Sequence, residues 1–594
     1  MLPSFSSFGR FVFAFSIMSC CTHHDMQPLK LQTRKELAEF LGITNKLLSY
    51  VLYVKKTDFY YSNFEIPKTS GGVRHISASS GLLKVIQQKL NVKLSEHLKN
   101  NSSHVSHGFI KGRSIFSNAH IHVNKKFVLQ IDLKDFFDSF HFGRVAGFFQ
   151  KNINFQCSRP VAICLAQLCC YKQKLPQGAP SSPTVTNLIC QILDRRILNL
   201  SKRYKVNYTR YADDLTFSTN RLGFQDDWKS FYDELKKIIV KAGFEIHESK
   251  TRLTTYNARQ VVTGLTVNKK INSSKDFIKN TRAMADHLYR NSSFNIGKEL
   301  GTINQLEGRF VFISQVDRVA QRKAPVPLNA LNSRDREYQK FLFYKYFFAN
   351  DLPLVITEGK TDVIYLKSAL KNLYEEFPSL IEKKDDGSFI FKLRFLNRSA
   401  RMKRYFRLEE DGADSIKNIY FQFSQKNGYY QYFKKLRGEP KEPIFLLFDH
   451  EKNGRKPLQK FLNIIERKYD EIENDLYLRI MQNAPVFLLI NPINPNYKPI
   501  NDENYSITGN CCDWEIESLF LQDTRSITLK GKKLSLAKDF DTSTHFGKAV
   551  FASYISKNYL SIDFSMFRKL FKTIEQAQEE YRISLLNETV NKFV

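Results

Sequence analysis

Asp213 and Asp214 stand side by side in KVNYTRYADDLTFSTN, between two short runs that suit β-strands. Tyr208, Tyr211, Leu215, Thr216 and Phe217 favour strands, and an Asp-Asp pair favours the turn between them. The stretch predicts a hairpin with two carboxylates at its tip. Adjacent carboxylates repel unless a cation lies between them. The fold must therefore bear that repulsion or be built around a divalent metal. Two metals about 3.5–4 Å apart stabilise both the attacking and the leaving oxygen in phosphoryl transfer. An ordinary acidic turn has the same residues, so the neighbouring segments must distinguish the two readings.

Upstream, KKFVLQIDLKDFFDSF predicts a buried strand over Phe127 to Ile131 with Asp132 at its end. A third carboxylate there completes a two-metal cage with Asp213 and Asp214. Between these segments, LPQGAPSSPTVTNLI carries Pro176, Gly178, Pro180 and Pro183, followed by a helical run from Thr184. A Gly/Pro-rich turn of this kind brings backbone close to a substrate. Downstream, GFEIHESKTRL supplies Lys250 and VVTGLTVN a Gly-centred turn.

In this order, Asp132, Gln177-Gly178, the YADD turn, Lys250 and the 262–268 turn resemble the palm of a reverse transcriptase. The resemblance implies that Asp132, Asp213 and Asp214 are catalytic and hold two Mg²⁺, with Mn²⁺ as the alternative ion. It implies that Gln177 and Gly178 border nucleotide and template, with Lys250 in the same nucleotide site. Phe137, five residues after Asp132, matches the steric gate that excludes a ribose 2′-OH, so dNTPs are the implied substrates. In IPKTSGGVRHIS, Lys68 and Arg74 match the triphosphate contacts. The plainer reading of Phe136 or Phe137 is a core ring.

A narrower resemblance rests on Asn118, Ala119 and His122 in NAHIH, and on Val262-Thr263-Gly264. Together with YADD these resemble retron reverse transcriptases. Members of that family bind a structured non-coding RNA, prime from a 2′-OH of a specific guanosine and make a branched RNA–DNA hybrid, msDNA. The resemblance assigns Asn118, His122, Val262, Thr263 and Gly264 to RNA binding and priming. By residue type alone, His122 reads as a structural histidine.

A chain of 594 residues exceeds one hydrophobic core and implies two to four domains. A net charge of +31 favours a polyanionic partner and salt-dependent binding. Aromatic rings interleave with basic residues at 341–348 and 426–437, where stacking on bases competes with a core role. Nine cysteines, with adjacent pairs at 20–21, 169–170 and 511–512 and no Cys-x-x-Cys, form a reduced, cytoplasmic pattern of a bacterial protein, without a zinc signature. The apolar stretch near the N-terminus is too short to span a membrane. Translation is expected to start at Met26, or else at Met18, leaving residues 1–25 as a misassigned or disordered extension. No other run suggests a membrane span.

Residues 26–265 are expected to form fingers and palm. SSKDFIKNTRAMADHLYR and INQLEGRFVFISQVDRV read as the amphipathic helices of a thumb, which with a connector fills 266–345. Residues 346–594 begin differently. LPLVITEGKTDVIYLKSAL is a strand, a Glu358-Gly359 turn and a helix, with the acid at the strand's carboxyl end, where open α/β sheets place ligands. EPIFLLFDHEKNG repeats the device: a strand over Ile444 to Phe448, then Asp449 and Glu451, which alternation puts on one side. Val486 to Ile490 supplies a third parallel strand.

These segments resemble a TOPRIM domain, the metal-binding module of topoisomerases, primases and some nucleases. Glu358 matches its glutamate, a candidate acid/base, and Asp362 falls in its Glu-Gly-x-x-Asp signature. Asp449 matches the first acid of its Asp-x-Asp pair, and Glu451 stands where the second Asp is usual. Glu515, Glu517 and Lys548 resemble the later acids and lysine of the overcoming-lysogenization-defect nucleases, Glu517 being the better match to a metal ligand. The implied metal ligands are Glu358, Asp449, Glu451 and Glu517, holding one or two Mg²⁺.

The expected fold is thus multidomain α/β and α+β: a right-hand polymerase of fingers, palm and helical thumb, then a Rossmann-like parallel-sheet TOPRIM domain. The implied function is msDNA synthesis joined to a nuclease that arrests growth on phage infection. The partners would be the cognate RNA, its msDNA, dNTPs, a nucleic-acid target of the second half and further copies of the chain, with no membrane. The alternatives are a non-catalytic, nucleic-acid-binding second half, or a bacterial reverse transcriptase outside the retrons.

Overall fold

A computed structural model describes residues 29–590 apart from 68–70, 102, 322–330, 409–414, 452–456, 482–483, 496–512 and 538. The chain divides into two compact units that part between Ser274 and Lys275. Residues 1–25 and Lys68 lie outside the described residues.

In the first unit, β1 (Tyr61–Pro67) and β2 (Val73–Ser79) form an antiparallel hairpin. They are followed by α1 (Ile115–Ile121), β3 (Phe127–Lys134), α2 (Phe142–Lys151) and α3 (Ser182–Arg203). Then come β4 (Asn207–Tyr211), β5 (Asp214–Thr219), α4 (Phe224–Lys241), β6 (Glu245–Ile246), β7 (Arg252–Thr255), β8 (Val261–Val262) and β9 (Leu265–Thr266). The sheet runs β4-β5-β3-β6, with β7 also paired to β3. Phe127, Val128, Leu129, Ile131 and Leu133 of β3 are buried, which makes it the central strand. It does not stop at Ile131 as the sequence suggested. It continues through Asp132 because β5 pairs with it as far as Asp132↔Asp214. The proline turn is followed by α3 two residues earlier than expected, with Pro183 in its first turn, where the missing N–H costs nothing.

In the second unit, β10 (Leu354–Ile356), α5 (Lys360–Asn372), β11 (Arg394–Phe395), β12 (Ile444–Phe448), β13 (Tyr477–Arg479), β14 (Val486–Ile490) and α6 (Lys548–Lys557) frame the site. The sheet order is β11-β10-β12-β14-β13, parallel except for the edge strand β13. Ile444, Leu446 and Phe448 pack into one core, and Phe445 and Leu447 into another on the opposite face. Val486, Leu488 and Ile490 divide from Phe487 and Leu489 in the same way. Side chains alternate across a strand, and a parallel sheet is covered on both faces, hence the continuous apolar runs.

The two helices expected as a thumb form over Lys275–Asn291 and Ile303–Gln321. Ala285, Leu288, Tyr289, Leu306 and Phe310 share a core with Phe341–Phe348 and the parallel sheet, so these helices belong to the second unit by packing. Phe341, Phe343, Tyr344, Phe347, Phe348, Tyr430 and Phe433 are all buried. The basic-aromatic runs at 341–348 and 426–437 thus spend these rings on a core. Among the described residues, no helix is long and apolar enough to cross a membrane.

Candidate functional site

The hairpin of β4 and β5 closes on two residues. Tyr211 pairs with Asp214, leaving Ala212 and Asp213 as the loop. Ala212 takes the left-handed conformation, φ 56°. The backbone of Gly108 lies against it: a Cβ on Gly108 would stand 2.7 Å from Ala212 N. Only glycine fits there. Leu133 N donates to Asp213 O (3.1 Å), tying the tip to β3.

Asp132 and Asp214 are direct cross-strand partners, an arrangement that destabilises like charges. Lys250 Nζ stands 2.9 Å from Asp132 Oδ1. Burial raises the Asp213 pKa, helped by Asp132 and opposed by Lys250 and Arg74. Burial also pushes the Asp214 carboxyl up to about 7, with Asp213 and Asp132 adding to the shift. Asp214 keeps a solvent-exposed edge, while protein crowding its other sides governs its charge. Among the described residues, no three His, Cys, Asp or Glu side chains already enclose a metal-sized point. The donor set fits Mg²⁺ chemically: hard carboxylate oxygens, whose mutual repulsion a cation would relieve.

These carboxylates open into a cleft of about 1300 Å³ that Arg74, Phe137, Gln177 and Lys250 also line. Phe136 is buried and stacks on Phe244; Phe137, half-buried, faces the cleft. The core reading therefore applies to Phe136. Gln177 O accepts from Ser77 N (2.9 Å), so the proline turn is bonded to β2. Gly178, φ 131°, has no room for a side chain, since a Cβ would meet Ser77 O at 2.8 Å.

The two narrower marks come together in space, and only Thr263 and Gly264 of them reach the surface. Thr263 and Gly264 form a two-residue loop, φ 45° and 81°, between β8 and β9. Thr263 Oγ1 donates to Ile115 O (3.4 Å), joining the loop to α1. Asn118 and His122 are both fully buried. This corrects the expectation that they touch RNA. The His122 ring sits between the strands that carry the tip, with Nδ1 2.7 Å from Ser218 Oγ and Nε2 2.7 Å from Thr209 Oγ1. Val262 is buried as well, and Gly264 is the exposed residue of its motif.

Burial holds the His122 pKa down to about 3, against an ordinary value near 6.5. Below pH 6.5 the unfolded chain takes up a proton that the folded chain refuses, so stability falls as pH drops toward 3. His122→Gln is expected to lose about 1–3 kcal/mol at pH 7 through unsatisfied hydroxyls. It should also show a shallower fall in Tm between pH 7 and 5 than the wild type. An equal fall in both proteins would refute the assignment.

Arg210 and Asp194 escaped the sequence reading. Both side chains are fully buried. Arg210 Nε and Nη2 donate to the two Asp194 oxygens, each at 2.8 Å, and Nη1 reaches Ala212 O at 3.2 Å. Tyr208 OH also donates to Asp194 (2.9 Å). This pair holds the hairpin loop from behind. An Asp inside the apolar face of α3, beside Leu193, was the available signal.

The reverse transcriptase (RNA-dependent DNA polymerase) family profile matches residues 66–284. The retron Mx65 reverse transcriptase of Myxococcus xanthus is 32% identical over 319 residues, covering 50% of this chain and 72% of that one. The retron Ec86 reverse transcriptase of Escherichia coli is 33% identical over 302 residues, covering 50% and 89%. This chain belongs to the retron reverse transcriptase family. It is an RNA-directed DNA polymerase, an activity that takes an RNA template and dNTPs and uses divalent metal ions.

The retron reverse transcriptase carries a second acidic centre in its C-terminal unit. Glu358, Asp449 and Asn491 follow the carboxyl ends of the neighbouring strands β10, β12 and β14. Asp449 N donates to Glu358 Oε1 (2.8 Å). Asp449 Oδ1 accepts from Asn491 Nδ2 (2.8 Å) and Ile516 N (3.0 Å). Asp362 accepts from Gly359 N (2.7 Å), capping α5. Lys548, at the start of α6, stands 2.8 Å from Glu515 Oε2 and 3.2 Å from Glu517 Oε2. Burial drives the Asp449 pKa well up, and Glu358, Asp362, Glu515 and Glu517 add to it. Burial pushes Glu517 up to about 7 against the pull of Lys548. Glu517 Oε1 is buried without a hydrogen-bond partner. That orphaned oxygen, in a cluster of carboxylates, fits a hard cation. Glu451 departs from the rest: its backbone pairs with Asp513 in a separate two-stranded ladder, and its side chain lies outside the described part. Asn491, which the sequence reading did not single out, takes the third strand end.

Proposed function

We propose that this enzyme makes a branched RNA–DNA molecule by extending a 2′-OH of its cognate RNA, and that its second unit is a TOPRIM-type, metal-dependent nuclease serving antiphage defence. The observation that carries the first part is the packing of α1 against the Thr263-Gly264 hairpin, with His122 clamping the catalytic strands. Retron marks far apart in sequence thereby form one support for the reaction centre. Asp132, Asp213 and Asp214 would hold two Mg²⁺, which supply charge stabilisation for the attacking and leaving oxygens. Arg74 faces the triphosphate, Phe137 excludes a ribose 2′-OH, and Lys250 fixes Asp132.

The second part is supported by six residues from four segments, Glu358, Asp362, Asp449, Glu515, Glu517 and Lys548, that act on one another in a single centre. Restraint of this nuclease by the hybrid nucleic acid, and its release on infection, completes the proposal.

The test is to purify the enzyme from cells carrying its native upstream DNA and to analyse the bound nucleic acid after RNase and after a 2′–5′ debranching enzyme. A discrete DNA that shifts on debranching is expected; heterogeneous unbranched DNA would overturn branch priming. Separately, equal growth arrest on infection with and without Glu358→Gln would overturn the nuclease reading.

A further inference from the structure

The C-terminal half of α3 presents a solvent face without an acid. From Ile192 onward its exposed residues are Ile192, Arg195, Arg196, Asn199, Lys202 and Arg203. Spacings of three and four place them along one side of the helix. Two open hollows, about 680 and 320 Å³, meet at Arg196 and are walled by one side of α2 and the C-terminal end of α4. Their linings carry Arg144, Lys151, Arg196, Lys202, Arg203 and Lys241 and, among the described residues, no carboxylate. Glu234 on α4 is already engaged by Arg203 and by Tyr204 OH. Arg144 is held in place over Phe140 and Phe244, at 4.7 and 4.3 Å from the ring centroids. No residue of this groove lines the catalytic cleft.

An open groove of this kind does not enclose a small molecule, which needs a concave and mostly buried site. Its floor of Ile189, Leu200 and Ile238 offers no hydrogen-bond pattern for base edges. What it offers is a row of cations at the spacing of a helix face, the footprint of a phosphate backbone. The geometry points to a second RNA-binding site on α3 and α4. It takes the sugar-phosphate backbone of the part of the template RNA that lies beyond the catalytic cleft, and reads no sequence. The inference rests on the use of an RNA template by this enzyme, not on branch priming, and so it survives if branch priming fails.

The experiment compares a short RNA–DNA primer–template, which fills only the cleft, with the same duplex continued at either template end by an RNA stem-loop. The wild type should bind one extended form more tightly. Arg196→Ala/Lys202→Ala/Lys241→Ala should remove that advantage, a loss of about tenfold or more at physiological salt. The slope of log Kd against log salt should fall by about three. Extension of the short primer–template should not change. The site is overturned if the wild type shows no advantage or the variant keeps it. It is also overturned if polyglutamate competes with the stem-loop as well as an RNA of equal charge does. Should the variant lose extension of the short duplex, crosslinking of the stem-loop to the wild-type enzyme decides. Crosslinked peptides from 189–203 or 238–242 are expected, and crosslinks confined to other segments overturn the site.

Discussion

Asp213→Asn/Asp214→Asn should abolish DNA synthesis while leaving the enzyme as stable as the wild type, or more so. Both effects have one cause. Asp214 is the direct cross-strand partner of Asp132, and Asp213 is next to it on a two-residue loop. Three carboxylates so placed repel one another, which adds to the burial that raises the Asp214 pKa. Asparagine keeps the shape of each side chain and removes the repulsion, so Tm should hold or rise. It also removes the charge that would hold the metals. Losing several kcal/mol of transition-state stabilisation, at about 1.4 kcal/mol per decade, predicts a fall in rate of about 10³-fold. The check is primer extension on an RNA template beside a thermal unfolding curve. Activity within tenfold of the wild type would remove these residues from the metal site, and a lower Tm would refute the argument from repulsion.

Asp194→Ala carries the second largest effect, with the opposite signature. Asp194 and Arg210 are both fully buried, so truncating one leaves an uncompensated charge in the core. Such a break costs about 3–5 kcal/mol. For a unit of this size each kcal/mol lowers Tm by about 2–4 °C, so a fall of about 10 °C is expected. Because Arg210 Nη1 also bonds Ala212 O, activity should drop even below the unfolding temperature as the loop loses its support. Asp194→Leu/Arg210→Met, which leaves no buried charge, should recover most of the stability but not the activity. A double variant with wild-type activity would show that the pair serves stability alone.

Much of the site was legible because its determinants are local. The YADD turn is specified by strand formers on either side of two acids within one short segment. The strands at Ile444–Phe448 and Val486–Ile490 form over the expected residues, since continuous apolar runs bounded by polar residues suit strands buried on both faces. Other features depended on partners far along the chain. Strand β3 runs past Asp132 because β5 pairs with it up to Asp132 and β6 takes over at Leu133 and Lys134. His122 looked like an RNA contact, because the hydroxyls that occupy its ring belong to Thr209 and Ser218, 87 and 96 residues away. Arg210 resembled one more basic residue in a basic chain until Asp194 closed over it.

The order of chemistry along the chain was thus determined by the sequence: two sets of acids, each at a turn or strand end, in a strongly cationic protein. Propensity, alternation and turn chemistry act over a few residues and can be read one segment at a time. Tertiary structure alone decided which polar groups are buried and which are free. It placed His122, Asn118, Asp194 and Arg210 behind the acidic hairpin, joined Lys548 to Glu515 and Glu517, and left a cationic face of α3 open. Burial and ion pairing are set by packing between distant segments. The neutrality of His122 therefore follows from the folded core, not from the residues beside it.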